Sequence, residues 1–178
     1  MKTNRCSVQC SSAEPELPVP VYVCATVGET AESMLPAFNQ DGNLPEGIHL
    51  VAEDEVFMRF ATPSARRQWL GEQLRSLMAL AKSTGQLARV FLWGSFVTSK
   101  EVPNDLDVLL VMGTEFAVEA LPAPAQVVFD HVQARLRFQA DVFWTKASID
   151  PQVLHLWLDT YQTGKDFTRR GIVEVIVA

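Results

Sequence analysis

The chain has 178 residues, 48% of them hydrophobic and 20% charged, and a formal net charge of −6. This describes one globular domain, with room for a short arm, that buries a core without disulfides or a structural metal. The acidic balance argues against wrapping duplex nucleic acid, no apolar run approaches the roughly 20 residues of a membrane span, and the opening MKTNRCSVQCSS lacks the apolar stretch of a secretory signal.

Residues 1–33 read as an N-terminal arm or extension, of which 1–18 are polar and proline-dotted. Within it, residues 19–27 are β-branched, and Pro18 and Pro20 confine them to an edge strand. Cys6, Cys10 and Cys24 are odd in number and fit no common zinc spacing, so they read as ordinary thiols of a reducing cytoplasm. Residues 35–49, with Asp41-Gly42, Pro45 and Gly47, read as an ordered turn-rich segment.

Thr62-Pro63 predicts a helix start, with Thr62 as cap and Pro63 in the first position. The helix extends to about Thr84, with Leu70, Leu74, Leu77, Met78 and Ala81 as its buried stripe, and Gly85 ends it. Residues 88–93 and 106–112 are short, strongly apolar strands. A helix follows over about 125–136, with Val128, His131, Val132 and Arg135 on related faces, and then a third strand over 138–144. Asp150-Pro151 caps another helix with Val153, Leu154, Trp157, Leu158 and Tyr161 as its apolar face. Residues 171–177 form the last strand. This order predicts an α/β or α+β fold with a mixed sheet flanked by helices, over residues 34–178.

Charge is unevenly spread. Residues 62–100 carry six basic side chains and one acidic, whereas 1–61 carry three and nine, and 101–178 six and eleven. The basic island, including Arg66 and Arg67, reads first as a solvated helix face. Its sharper reading is a surface that attracts a polyphosphate, or RNA as an acceptor. His131 and His155 read as packing or surface groups, and Trp69, Trp93, Trp144 and Trp157 as core.

The stretch that carries chemistry is VFLWGSFVTSKEVPNDLDVLLVM, residues 90–112. A buried strand runs into Gly94-Ser95. After nine residues, Asp105-Leu106-Asp107 opens the next strand. Carboxylates at i and i+2 on a strand share a face, and two anions side by side call for a cation. Mg2+ suits them, because a hard cation takes carboxylate oxygens and keeps positions for phosphate oxygens. Gly94 permits close backbone approach to a ligand, and Ser95 offers a hydroxyl and an N–H to a phosphate. Pro103-Asn104 shapes the turn that delivers the acids. Asp141 lies within the apolar strand 138–144 and completes a three-acid cluster if that strand lies beside 106–112.

Trp93-Gly94-Ser95 and Asp105-Leu106-Asp107-Val108 resemble the signature of the nucleotidyltransferase superfamily with the DNA-polymerase-beta-like fold. More closely, residues 34–178 resemble a small bacterial family of uncharacterised proteins of that fold, a domain of unknown function often grouped with nucleotidyltransferase-like toxins and antitoxin-associated proteins. The resemblance implies a minimal nucleotidyltransferase core in which Asp105, Asp107 and Asp141 are catalytic metal ligands. It also implies that Gly94 and Ser95 hold the triphosphate, with Lys100 as the next phosphate contact. Two Mg2+ ions are expected with a bound NTP. The expected partners are an NTP, an acceptor (protein, small molecule or RNA) and a second copy in a homo-oligomer, with no membrane. The expected activity is transfer of a nucleoside monophosphate to an acceptor hydroxyl in the cytoplasm. The alternative is a catalytically weak binding or regulatory module, such as the partner of a toxin or antitoxin.

Overall fold

A computed structural model describes residues 35–164 and 167–177. The predicted edge strand at 19–27 and the three cysteines lie outside these residues. In chain order the elements are β1 (Ile48–Ala52), α1 (Glu53–Phe60), α2 (Ala65–Ser83), β2 (Leu87–Trp93), β3 (Leu106–Met112), α3 (Ala123–Phe129), α4 (His131–Phe138), β4 (Ala140–Lys146), α5 (Pro151–Tyr161) and β5 (Ile172–Ile176), with short 3-10 turns at Gly94–Val97 and Val118–Ala120. The strands form one mixed sheet in the order β1-β5-β2-β3-β4. The outer pairs β1–β5 and β3–β4 are parallel, whereas β5–β2 and β2–β3 are antiparallel. The fold is α+β, with five helices around the five-stranded mixed sheet among the described residues.

The central strands of the sheet are covered on both faces, whereas the outer strands expose Ile48, Leu50 and Phe143. Val90, Leu92, Val108, Leu110 and Val142 point into the main core, where they meet Phe57 and Phe60 of α1, Leu70, Leu74, Leu77 and Met78 of α2, Val128 of α3 and Ala134 and Phe138 of α4. Phe91, Leu109, Val111 and Ile172 point the other way and pack under α5 through Leu158. Every residue of β3 is buried except Asp107. Among the described residues, no helix is long and apolar enough to cross a membrane.

Several boundaries differ from the sequence reading, each for a local reason. The long helix begins at Ala65, not at Pro63, because Ser64 is its cap and accepts from the Arg67 N–H at 3.3 Å. Thr62 instead donates its hydroxyl to Met58 O, closing the end of α1. Helix α1 and strand β1 were not read from sequence, and β1 begins inside the segment read as turns. The helix expected at 125–136 is two helices. Asp130 adopts an extended backbone and caps the second one by accepting from the Gln133 N–H at 2.9 Å. Strand β4 starts at Ala140, because Phe138 ends α4 and Gln139 turns the chain in a left-handed conformation, φ 50°. On α5 the expected apolar face is only partly covered, since Val153 is exposed. Trp69 is likewise exposed rather than core.

Candidate functional site

The β3–β4 register decides the geometry. Asp107 pairs with Asp141 across the parallel ladder, and on the other side of β3 it pairs with Trp93 of β2. Three neighbouring strands therefore present Trp93, Asp107 and Asp141 in one row on the α5 face. Asp105 stands two residues before Asp107, just ahead of β3. Gly94 turns the chain away from β2 with φ +72°, and a Cβ there would lie 2.8 Å from Asp107 Cγ. The Asp107 carboxylate thus lies against bare backbone, so only glycine fits.

The loop between Gly94-Ser95 and Asp105 is pinned from behind. Arg67, 1% exposed, donates to four backbone carbonyls: Phe60 O (2.9 Å), Phe96 O (2.8 Å), Lys100 O (2.7 and 2.9 Å) and Thr98 O. Burial pushes its guanidinium below the ordinary arginine value. Arg66 takes the far end of the loop through Pro103 O (3.0 Å) and Asn104 O. The Asn104 N–H donates to Ser95 Oγ at 3.2 Å, which ties the two motif halves together. The turn at Asn39–Asn43 backs the loop through Ser99 N–H to Gly42 O, 2.8 Å.

Arg66 and Arg67 are therefore not a solvated helix face, and the basic island is not an open anion-attracting surface. Lys82 pairs with Glu53, Arg89 makes a bidentate pair with Glu174, and Arg75 lies over the Phe57 ring. Of the island's cations, Lys100 remains at the cleft, with its Nζ 3.2 Å from Asn104 Oδ1.

Gly94, Ser95, Lys100, Asp105, Asp107 and Asp141 all line one cleft of about 1090 Å³. Sequence reasoning missed other residues that shape it. Tyr161 of α5 stacks on Trp93, with centroids 3.9 Å apart and planes 8° apart, and both line the cleft. Burial raises the Tyr161 hydroxyl above the usual phenol value. Arg135 of α4 pairs with Asp141 and lies 3.7 Å from Asp105 Oδ2. Its guanidinium is raised above the ordinary value, first by the hydrogen bond to Asp141 and then by the charges of Asp141, Asp105 and Asp107. His131, one turn earlier, places Nε2 3.7 Å from Asp141 Oδ1. The signal for Arg135 was its i+4 spacing from His131 on a helix leading straight into the strand of Asp141.

The three acids suit a divalent ion as a donor set, being hard oxygen ligands on one face. A cation already stands among them, the guanidinium of Arg135. With it in place, no group of three His, Cys, Asp or Glu side chains among the described residues is drawn together as a metal cage. The acids face one another and share a counter-charge, and that charge is supplied by the chain itself.

A mixed α+β domain with a carboxylate row beside a glycine-serine turn is the class of protein described here. The chain belongs to a family of unknown function, DUF6932, matched over residues 36–176. No curated protein and no solved structure matched it.

Proposed function

We propose that the cleft transfers a nucleoside monophosphate from an NTP to an acceptor hydroxyl and releases pyrophosphate. The observation that carries this reading is the side-by-side placement of Asp107 and Asp141 on β3 and β4, facing the Gly94-Ser95 turn. Asp105, Asp107 and Asp141 would hold Mg2+, which supplies positive charge against the triphosphate and acidifies the acceptor hydroxyl. Gly94 lets the Asp107 carboxylate lie against the backbone, and Ser95 and Lys100, lining the same cleft, offer a phosphate a hydroxyl and an ammonium. Asp141, at the β4 edge of the row, takes the proton of the acceptor hydroxyl. The new bond forms between that oxygen and the α-phosphorus, and the α–β bridging bond breaks. The Arg66 and Arg67 contacts hold the loop still, so that positioning is paid before substrate arrives.

Isothermal calorimetry with each of the four NTPs and Mg2+ tests this. Binding is expected for at least one NTP, weakened at least about tenfold by Asp107→Asn, and incubation with labelled NTP, Mg2+ and cell lysate is expected to label one acceptor. Absence of binding by every NTP would overturn the proposal. A second reading rests on the Arg135 pairing: part of the acids' charge is already offset by the chain, as in a binding or regulatory module without turnover. NTP binding with no labelled acceptor would favour it.

A further inference from the structure

We propose that Arg135 is an internal stand-in for the divalent ion, a contact that keeps the carboxylate row closed to metal until the guanidinium is displaced. The inference rests on the nucleotidyl-transfer reading and adds a control to that same site.

Three observations meet here. First, Arg135 reaches two acids from different elements, Asp141 on β4 and Asp105 ahead of β3, and feels the charge of Asp107 as well. A guanidinium so placed screens the mutual repulsion of the acids, which is the task a divalent ion would perform. A guanidinium and a divalent ion held on the same acids repel one another, so each weakens the binding of the other. Second, Arg135 stands on a helix anchored in the core while its own side chain is half exposed. The neighbouring Ala134 and Phe138 are buried in the core, whereas the Arg135 side chain is 53% exposed. The guanidinium can swing into water without disturbing α4. Exposed pairs of this kind are weak one by one, so an entering ion can displace it. Third, all three acids stay in the cleft wall on rigid strands or beside them, so the row persists when the arginine leaves.

The consequence is competition. Metal alone has to displace Arg135 and is held weakly. Metal arriving with a polyphosphate brings its own anion, which offers the freed guanidinium a new partner. The contact would thus favour loading of metal and nucleotide together.

Titration with Mn2+ alone, followed by loss of the free-ion electron paramagnetic resonance signal, reads the contact without turnover. Arg135→Gln is expected to bind Mn2+ roughly five- to tenfold more tightly than the unmodified chain. Arg135→Lys, which keeps a charge but not the fork, should fall between them. Asp107→Asn in the Arg135→Gln background should abolish the gain. Circular dichroism is expected to show an unchanged fold, since the side chain is exposed. Equal or weaker Mn2+ affinity in Arg135→Gln overturns the stand-in role. In that case measurable Mn2+ binding by the unmodified chain leaves the transfer reading standing, whereas absence of Mn2+ binding in every variant overturns both.

Discussion

Arg67→Ala is expected to lower the unfolding free energy by about 3–5 kcal/mol, read as a shift of the urea midpoint at unchanged slope. The side chain is buried and its donors all end on backbone carbonyls, those of Phe60, Phe96, Thr98 and Lys100. Truncation leaves these acceptors unpaired, and each buried polar group without a partner costs roughly 1–3 kcal/mol, less whatever water recovers. The guanidinium also lies 5.8 Å over the Phe96 ring, a contact that alanine cannot make. Arg67→Lys should recover only a minor part, because an ammonium cannot fork to carbonyls so far apart. Since three of the four carbonyls belong to the loop between Gly94-Ser95 and Asp105, NTP affinity should fall as well as stability. A loss below about 1 kcal/mol would mean that the loop holds its own shape.

Gly94→Ala is expected to cost about 2–5 kcal/mol, from two separable sources. The left-handed conformation at φ +72° strains any side chain by roughly 1–2 kcal/mol. A Cβ at this position also runs into the Asp107 carboxylate, an overpacking of the kind that costs about 1–3 kcal/mol. A double-mutant cycle separates them. In an Asp107→Ala background the collision is relieved, and the cost of Gly94→Ala should drop to about 1–2 kcal/mol. An unchanged cost would show that Asp107 gives way freely. In the otherwise unmodified chain the displaced Asp107 should lower NTP affinity too, which links the glycine of the motif to the acid ten or more positions later through a physical contact.

Much of the scaffold was legible because apolar periodicity and helix caps are local. Strand β3 was read to the residue, since the run from Val108 to Met112 is apolar and buried on both faces. Asp150-Pro151 marked the start of α5 for the same kind of reason: Asp150 accepts from the Gln152 N–H at 2.7 Å. Helix α1 was missed because it has only eight residues, its first turn is three acids, and β1 runs into it without a break. The split at Asp130 was missed because the apolar spacing runs through it, and only the backbone of Asp130 breaks the helix.

The candidate site divides along the same line. That Gly94, Ser95, Lys100, Asp105, Asp107 and Asp141 share one cleft followed from motif spacing plus one assumption, that strand 138–144 lies beside strand 106–112. The observed β3–β4 pairing supplies it. The arginines were the failure. A count of charges placed Arg66, Arg67 and Arg89 in a basic island, yet a count says nothing of where each side chain ends.

The sequence by itself determined most of the element types, α1 and β1 aside, the apolar strand that Asp107 sits on, and the need for a glycine at a sharp turn beside it. Those follow from neighbours a few residues apart. Only the tertiary structure decided that Arg67 faces inward to four carbonyls, that Tyr161 stacks on Trp93, and that Arg135 stands among the three acids. Each joins residues from different elements, and the partner of a charge is set by which elements pack together rather than by what lies beside it in the chain.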